Sequence, residues 1–439
     1  MKVLLIGNGG RENAIAWKIF NSDSFIKSGG KLFCTKGNPG IDKFAESIDI
    51  DQTDTDALIS FSLKEKIDFT VVGPEIPLSL GIVDDFEKHG LKIFGPSKKA
   101  AQIETSKIFA KKLMADNNIP TAKYRSFSKE NISESIKFTD ECTFPVVFKA
   151  DGLAAGKGVI IAENREECAE IIKDFTEGRS LNEAGFNFII EEFLEGEEIS
   201  VFAICDGEDF VLLPFAQDHK RIGEGDKGKN TGGMGAVAPI GKYMTEEIER
   251  KIKDNIVVPV LKAMKGIGAE FRGCLFCGLM MVNNEPFVIE FNCRFGDPET
   301  QAILPLIESD FIDLLISSES KDLKNYSLKI NNNYSCCIVL ASDGYPEKFE
   351  SGKIISGANE LLEDCLIFQM GTKYGTIENE NEIVSAGGRV ISVVGISERS
   401  LEDAVSIAYK ESEKIVYENK YFRRDIGSKQ ISNFKTSLN

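Results

Sequence analysis

The chain alternates short apolar runs with amphipathic stretches, and the period of each run predicts its element. Residues 2–6 (KVLLI) are an apolar run that stops at Gly7-Asn8-Gly9-Gly10. That pattern predicts a buried strand entering a tight turn, with a helix running from the turn to about residue 20. Residues 31–35, 67–72 and 91–94 repeat the strand pattern, and each is followed by a turn containing Gly and Pro. Strands alternating with helices predict a parallel sheet whose loops gather at the strand C-termini. Residues 105–117 carry Ile108, Phe109, Leu113 and Met114 at helical spacing behind a Thr/Ser start. Residues 145–161 predict strand, Gly-rich hairpin, strand, and 188–195 and 197–205 predict two further strands. Residues 218–235 have the composition of a long charged loop, and 245–264 that of an amphipathic helix. A last module is predicted from strands at 335–341 and 383–396 and a helix at 401–415.

The most informative break in the pattern is residues 286–301, PFVIEFNCRFGDPETQ. Phe287, Val288, Ile289 and Phe291 favour a strand, yet Glu290 and Asn292 interrupt it. Residues two apart on a strand face one side, about 7 Å apart. A carboxylate and a carboxamide oxygen there form a pair of hard ligands for Mg²⁺ or Mn²⁺. Arg294 continues the spacing and suits an anion beside the metal. Gly296-Asp297-Pro298-Glu299 then predicts a turn with two more carboxylates.

Length and charge narrow the class. At 439 residues the chain has room for several domains, and its net charge of −17 argues against broad nucleic-acid or membrane-surface binding. Phosphates must therefore be met in local pockets. No apolar run is long enough for a membrane span, and the apolar N-terminal run is too short for a signal peptide, so a cytoplasmic protein is expected. The ten cysteines do not form a disulfide framework. Cys274-x-x-Cys277 lies in an apolar run without a second pair or a nearby His, so core packing is expected rather than zinc. Two histidines and no nucleophile elbow argue against a Ser-His-Asp triad.

Several segments carry candidate phosphate chemistry. Gly7–Glu12 resembles a dinucleotide turn, but Glu12 stands where Gly or Ala belongs, and Lys36 follows the second strand where a ribose-binding acid belongs. Gly-rich amides with Arg11 still suit a phosphate monoester. Lys149 ends an apolar strand, and Lys157 sits between Gly156 and Gly158, on a hairpin able to fold over a polyphosphate. The spacing is not that of a Walker loop. Glu191-Glu192-Phe193-Leu194 suits an adenine clamp with apolar walls, and Glu198 suits ribose hydroxyls. Lys220, Arg221, Lys227 and Lys229 add cations to the 218–235 segment.

In this order, the motifs GNGGREN, VVGPEIPLSLGIVD, GPSKKAAQIETSK, VVFKADGLAAGKGV, AQDHKR, GDKGKNTGGMGA and EFNCRFGDPETQ resemble the phosphoribosylamine–glycine ligase family of ATP-grasp enzymes, also called glycinamide ribonucleotide synthetases. The resemblance spans about residues 1–425. It implies an α/β fold with a Rossmann-like N-terminal domain (1–105), an ATP-grasp fold of two α+β subdomains (106–195 with the lid, 196–325 with the metal) and a small α/β C-terminal domain (326–439). It implies ATP and Mg²⁺ (or Mn²⁺) as cofactors and glycine and 5-phosphoribosylamine as substrates, with neither nucleic acid nor membrane as partner. A monomer is expected. Carried over by position, Lys107 and Lys149 would touch ATP phosphates under a Gly152–Gly158 lid. Glu191, Glu192, Phe193 and Leu194 would line adenine, and Glu198 the ribose. Glu290 and Asn292 would hold the metal. Gly9, Gly10, Arg11, Glu12, Gly73, Pro74 and Glu75 would face phosphoribosylamine, and Asp218, Arg294 and Asp297 would position glycine and the amine.

The sequence departs from the family pattern in places. Asn13 replaces a usual His, which puts a charge-assisted phosphate contact there in doubt. Lys229 replaces a usual Pro. Residues 277–281 carry no carboxylate, so the metal would lean on Glu290, Asn292, phosphate and water. Three alternatives remain open on the residues: another ATP-grasp enzyme using bicarbonate or formate, a nucleotide-binding regulator without turnover, and an NAD-dependent oxidoreductase.

Overall fold

The computed structural model describes residues 1–152, 158–177, 186–358, 362–375 and 382–437. The predicted lid residues Gly156 and Lys157 lie outside the described residues. The N-terminal segment contains β1 (Lys2–Ile6), β2 (Lys31–Thr35), β3 (Glu46–Ile48), β4 (Phe69–Val72) and β5 (Ile93–Phe94). They form one parallel sheet in the order β3-β2-β1-β4-β5. β1, β2, β4 and β5 are almost wholly buried, because helices cover both faces, and near-continuous apolar runs are the sequence form of that burial, whereas the edge strand β3 exposes Glu46 and Ser47. β1 turns directly into the helix Gly10–Phe20.

The lid portion is an antiparallel sheet of β6 (Tyr124–Ser128), β7 (Val146–Ala150), β8 (Val159–Ala162) and β9 (Asn187–Glu192), ordered β6-β9-β7-β8. It has its own core. Phe127, Phe148 and Phe188 on the sheet pack with Phe175 of the helix Arg165–Glu177. Phe148 and Phe188 are stacked with centroids 6.2 Å apart, and Phe175 meets both edge-on.

The chain then enters β10 (Glu197–Asp206) and β11 (Phe210–Leu212), followed by β12 (Gln217–Asp218), β13 (Arg221–Gly223), β14 (Lys227–Asn230) and β15 (Gly235–Ala238). The expected long loop at 218–235 is thus partly a hairpin, β13 pairing with β14. Glycine and alternating charge concealed it, since neither strand has an apolar face. The expected helix at 245–264 runs from Glu246 to Gly266 with a π-turn at Lys253–Val257. β16 (Arg272–Val282) and β17 (Glu285–Asn292) complete the sheet β11-β10-β16-β17. Residues of this sheet and of the N-terminal sheet share two buried apolar clusters.

The C-terminal sheet uses β18 (Tyr334–Ser342), β20 (Cys365–Gln369) and β23 (Arg389–Ser397), with β19 (Ile354–Ile355), β21 (Thr372–Tyr374) and β22 (Ile383–Ser385) forming a small separate sheet. The stretch 383–396 therefore divides between two sheets, broken at Ala386-Gly387-Gly388, where Gly371 and Gly387 are in close backbone contact. β12 and β15 add to this sheet through β18, so it is built from two separated stretches of chain. The helix Leu401–Lys414 covers it.

Phe148 lies beside Lys149 and is fully buried. Phe148→Ala should cost about 3–5 kcal/mol through the cavity it leaves, read as a lower urea midpoint for the transition that unfolds the lid sheet.

Candidate active site

β17 carries the two predicted metal ligands on one face. A bulge sets Gly278 opposite Glu290 and Leu279 opposite Val288, leaving Ile289 as the extra residue. Beyond it, half-buried Glu290 and Asn292 flank buried Phe291, as strand alternation requires. Gly278 contributes no side chain next to Glu290, and a Cβ there would sit 3.2 Å from the Glu290 Cγ.

Cations ring this carboxylate. Lys220 Nζ lies 3.6 Å from Glu290 Oε1 and also pairs with Glu198. Burial alone would raise the Glu290 pKa, but Lys220, Lys149, Lys107 and Arg294 outweigh it and hold it at about 2. Glu290 is thus a carboxylate at any working pH. Glu198, Glu290 and Asp218 in turn hold Lys220 well above the usual lysine range against the opposing effect of burial.

Lys149 is buried at the end of β7. It donates to the Ile289 carbonyl at 2.9 Å and pairs with Glu191. Glu191 also pairs with buried Lys111 at 2.5 Å, and Lys111 donates to Thr121 Oγ1 at 2.6 Å. Glu191, expected beside Glu192 at the adenine clamp, therefore lies beneath the lysines. Adjacent residues on β9 face opposite sides, and Glu191 points beneath the lysines while Glu192 faces out. Lys111 was missed by the sequence reading, although it lies four residues after Lys107 on one helix face.

Lys107 opens the helix Lys107–Asp116, capped by Ser106, and donates to the Gly152 carbonyl at 2.8 Å. Burial lowers its pKa, although Glu290 and Asp151 oppose that. Asp151 accepts from Ser106 Oγ at 3.0 Å and from the Ile108 N–H at 3.1 Å, so the root of the lid turn is tied to this helix. Gly158 is buried where the chain enters β8, and its carbonyl accepts the Ala150 N–H at 2.8 Å.

A cleft of about 550 Å³ lies alongside, lined by Glu192, Phe193, Leu194, Glu195, Val282, Asn283 and Phe287. Phe193 is 41% exposed there, unusual for so large an apolar side chain and suited to a flat apolar ligand.

On the N-terminal side, Glu12 organises the glycine turn. Its carboxylate accepts from the Gly9 N–H at 2.7 Å and from Arg11 Nε at 2.6 Å. A Cβ on Gly73 would come within 2.1 Å of that carboxylate, so only glycine fits there. Arg11 is buried and also donates to the Phe295 carbonyl at 3.0 Å, bracing the loop after β17. Gly10 lies under Met370 and Gln301. Asn13 is fully buried and its Oδ1 accepts the Gln369 N–H at 2.7 Å, so this position makes a contact with the C-terminal domain. Lys229 pairs with Glu347 on the surface.

Pro74 precedes the helix Glu75–Leu80. Arg294 is held by Glu75 Oε2 at 3.2 Å and by buried Glu104 at 3.3 Å. Burial pushes the Glu75 pKa up, and Arg294 with Arg11 brings it below the usual range. Asp297 accepts from Gln301 and from Arg389 of the C-terminal domain. The C-terminal module, which showed no chemistry in the sequence, therefore reaches the site. Asp218 and Glu299 lie close together, and burial together with the neighbouring Glu299 pushes Asp218 well up, while burial raises Glu299. Glu299 accepts from Ser200 Oγ at 2.9 Å.

Glu290 and Asn292 fit a small divalent cation. They are hard oxygen donors on one face, and Glu290 is ionised. No cluster of three His, Cys, Asp or Glu suited to a metal occurs among the described residues, so phosphate and water would complete the shell, as Mg²⁺ accepts.

One antiparallel sheet carrying Lys149, set against a second carrying Glu290 and Asn292, defines an ATP-grasp enzyme. The biotin carboxylase domain of Hydrogenobacter thermophilus 2-oxoglutarate carboxylase shares the fold, with a TM-score of 0.71 at 17% identity over 96% of this chain and 91% of that one. Models of phosphoribosylglycinamide synthetase match in series: the N domain at residues 1–104, the ATP-grasp (A) domain at 105–300 and the C domain at 335–429. The phosphoribosylamine–glycine ligase of Fusobacterium nucleatum subsp. nucleatum is 45% identical over 98% of both chains. The crystal structure of phosphoribosylamine–glycine ligase from Thermotoga maritima superposes with a TM-score of 0.83 at 33% identity, covering 97% of this chain and 100% of that one. The chain belongs to the phosphoribosylglycinamide synthetase family.

His219 gives a pH prediction. It is buried between Gly235, whose carbonyl lies 3.3 Å from Nδ1, and Gly427, whose N–H donates to Nε2 at 3.3 Å. Burial, reinforced by Arg423, pushes its pKa down to about 4. The unfolded chain takes the proton near 6.5, so stability is full above that pH and declines as pH falls toward 4. Melting temperatures at pH 7 and pH 5 should differ less in His219→Gln than in the parent protein.

Proposed function

We propose that this chain joins glycine to 5-phosphoribosylamine at the expense of ATP, giving glycinamide ribonucleotide, ADP and phosphate in purine biosynthesis. The observation that carries the reading is the carboxylate of Glu290 set among Lys107, Lys149 and Lys220, with Asn292 beside it on one strand. Phosphates need the cations, and a divalent ion between phosphates needs the oxygens. Family membership over the whole chain supports the choice of substrates.

A carboxylate is a weak acyl donor, because direct attack would have to expel oxide. Attack by a glycine carboxylate oxygen on the γ-phosphorus of ATP gives glycyl phosphate and releases ADP. The amine of 5-phosphoribosylamine then attacks the acyl carbon, phosphate leaves, and the amine gives up a proton. Mg²⁺ (or Mn²⁺) held by Glu290 and Asn292 would neutralise phosphate charge. Lys149 and Lys107 set fixed positive charge at the same place, which costs no reorganisation during the reaction. Arg294, clamped by Glu75 and Glu104, keeps a guanidinium ready for the negative charge that develops on the acyl oxygen. The exposed Phe193 face with Leu194 would receive adenine, and Glu198 the ribose. Asp218 and Asp297 supply carboxylates for the amino groups of the two substrates. Gly9, Gly10, Arg11 and Glu12 with the Gly73–Glu75 turn would shape the phosphoribosyl end. The lid turn from Gly152 to Gly158 would shield the acyl phosphate from water.

All ten cysteines are free thiols, which suits the reducing cytoplasm. No helix among the described residues is long and apolar enough to cross a membrane.

ADP release, followed by a coupled assay, should require glycine and 5-phosphoribosylamine together. Glu290→Ala should lower that turnover on the order of 100-fold or more. Release driven by bicarbonate or formate instead, or full turnover in Glu290→Ala, would overturn the proposal.

A further inference from the structure

The C-terminal domain reaches the acidic part of the site through Arg389, the first residue of β23. Its Nη2 donates to Asp297 Oδ2 at 2.8 Å, and its Nη1 donates to the Asp297 carbonyl at 2.9 Å and the Gly232 carbonyl at 2.6 Å. Gly232 is held from its other side too, since its N–H donates to the Tyr345 hydroxyl at 3.0 Å. Both backbone polar groups of Gly232 thus bond to C-terminal-domain side chains. A Cβ on Gly232 would come 2.8 Å from the guanidinium carbon, so the arginine fits against a bare backbone. Gln301 Nε2 occupies the remaining Asp297 oxygen at 2.6 Å, which fixes that carboxylate in both directions.

Two further carboxylates stand behind this contact. A Cβ on Gly233 would meet Pro298 at 2.4 Å and Asp218 Oδ1 at 2.7 Å, so the Gly232-Gly233 turn, Asp218 and the Asp297-Pro298 turn are packed together. Glu299 follows in the same turn. Among the described residues, the charged and titratable groups facing Arg389 are Asp297, Asp218, Glu299, Tyr345 and Cys337. Asp218 also faces Lys220 and Glu198, and Glu299 faces Lys220 and Arg294.

We propose, on the basis of the ligase reading above, that Arg389 is a positioning residue: it fixes Asp297 and the Gly232 backbone so that the three-carboxylate pocket keeps the shape and charge that receive the amino groups of the substrates. Three carboxylates brought together repel one another, and they relax either by splaying apart or by taking up protons. A protonated carboxyl group holds an ammonium poorly. The forked guanidinium opposes both outcomes, because it bonds one carboxylate and two carbonyls at once and faces Asp218 and Glu299, whose pKa values burial already raises. A lysine is a single point charge and cannot reproduce that fork. None of the hydrogen bonds of Arg389 itself involves Lys149, Glu290, Glu198 or the Phe193 cleft, so ATP affinity serves as an internal control.

The test uses the full-length enzyme with ATP, glycine and 5-phosphoribosylamine. Arg389→Met and Arg389→Lys are compared with the parent in kcat, in KM for each substrate, in melting temperature and across pH. Arg389→Met should lose on the order of 10- to 100-fold in kcat/KM for glycine and the amine, with KM for ATP within about twofold. The acidic limb of its kcat/KM profile should move to higher pH, because Asp218 and Glu299, already raised by burial, have lost a facing cation. Arg389→Lys should fall between the two and restore part of the acidic limb. In the double variant Arg389→Met/Asp297→Asn, the loss should be no greater than in the worse single variant, because the two side chains act as one unit. If Arg389→Met does not fold, the same measurements on Arg389→Lys decide the matter. Constants within twofold of the parent in both variants would overturn the inference. So would an equal loss for all three substrates with a lowered melting temperature and an unmoved acidic limb. A parent enzyme without glycine- and amine-dependent ADP release would instead overturn the ligase reading.

Discussion

A buried lysine between two sheets is the constraint on which the site depends. Lys149 leaves the end of the lid strand β7 and is held by Glu191 of the neighbouring β9 and by the Ile289 carbonyl of β17. A cation this deep costs several kcal/mol in lost hydration unless its partners are in place. Its partners here belong to separate sheets, so the charge can be accommodated only when lid and metal strand are in register. The β17 bulge at Ile289 serves the same end. It turns a carbonyl toward the lysine and returns the strand to its alternation, leaving Glu290 and Asn292 together on the open face.

Around that point, cations and carboxylates alternate. Lys111 shares Glu191 with Lys149, and Lys220 stands between Glu198 and Glu290. Arg294 lies between Glu75 and Glu104, and Arg389 on Asp297. A chain with net charge −17 thus concentrates its positive side chains where phosphate would sit and neutralises each with a carboxylate nearby. The arrangement keeps buried charges paired and still leaves local positive potential for a polyphosphate. The outer domains act as walls: Gln369 is held by Asn13 and Asn38 of the N-terminal domain, while Tyr345 and Arg389 hold Gly232.

Much of the fold was legible because its elements are locally consistent. The four N-terminal strands expected from apolar runs ended by glycine turns all appear in one parallel sheet, which also takes in β3, whose polar Glu46-Ser47 gave no such signal. The Glu290/Asn292 pair was legible because strand periodicity alone sets two side chains on one face. The hairpin at Arg221–Asn230 was not legible, since its strands have no apolar face and are stabilised by pairing and by Tyr421 and Arg423 from far along the chain. Glu191 was assigned to adenine because it adjoins Glu192 and Phe193, but neighbours on a strand point opposite ways, and only the sheet tells which way is in.

The order of polar and apolar residues by itself determined the strands, the lysines and carboxylates available for phosphate and metal, and the family to which the chain belongs. Tertiary structure decided which charges meet. Glu191 with Lys111 and Lys149, Arg294 with Glu75 and Glu104, and Arg389 with Asp297 are pairs separated by tens to hundreds of residues. Local periodicity fixes the direction in which a side chain leaves its own backbone. Its partner depends on how whole sheets pack, and that is settled by burial of apolar surface spread over the entire chain.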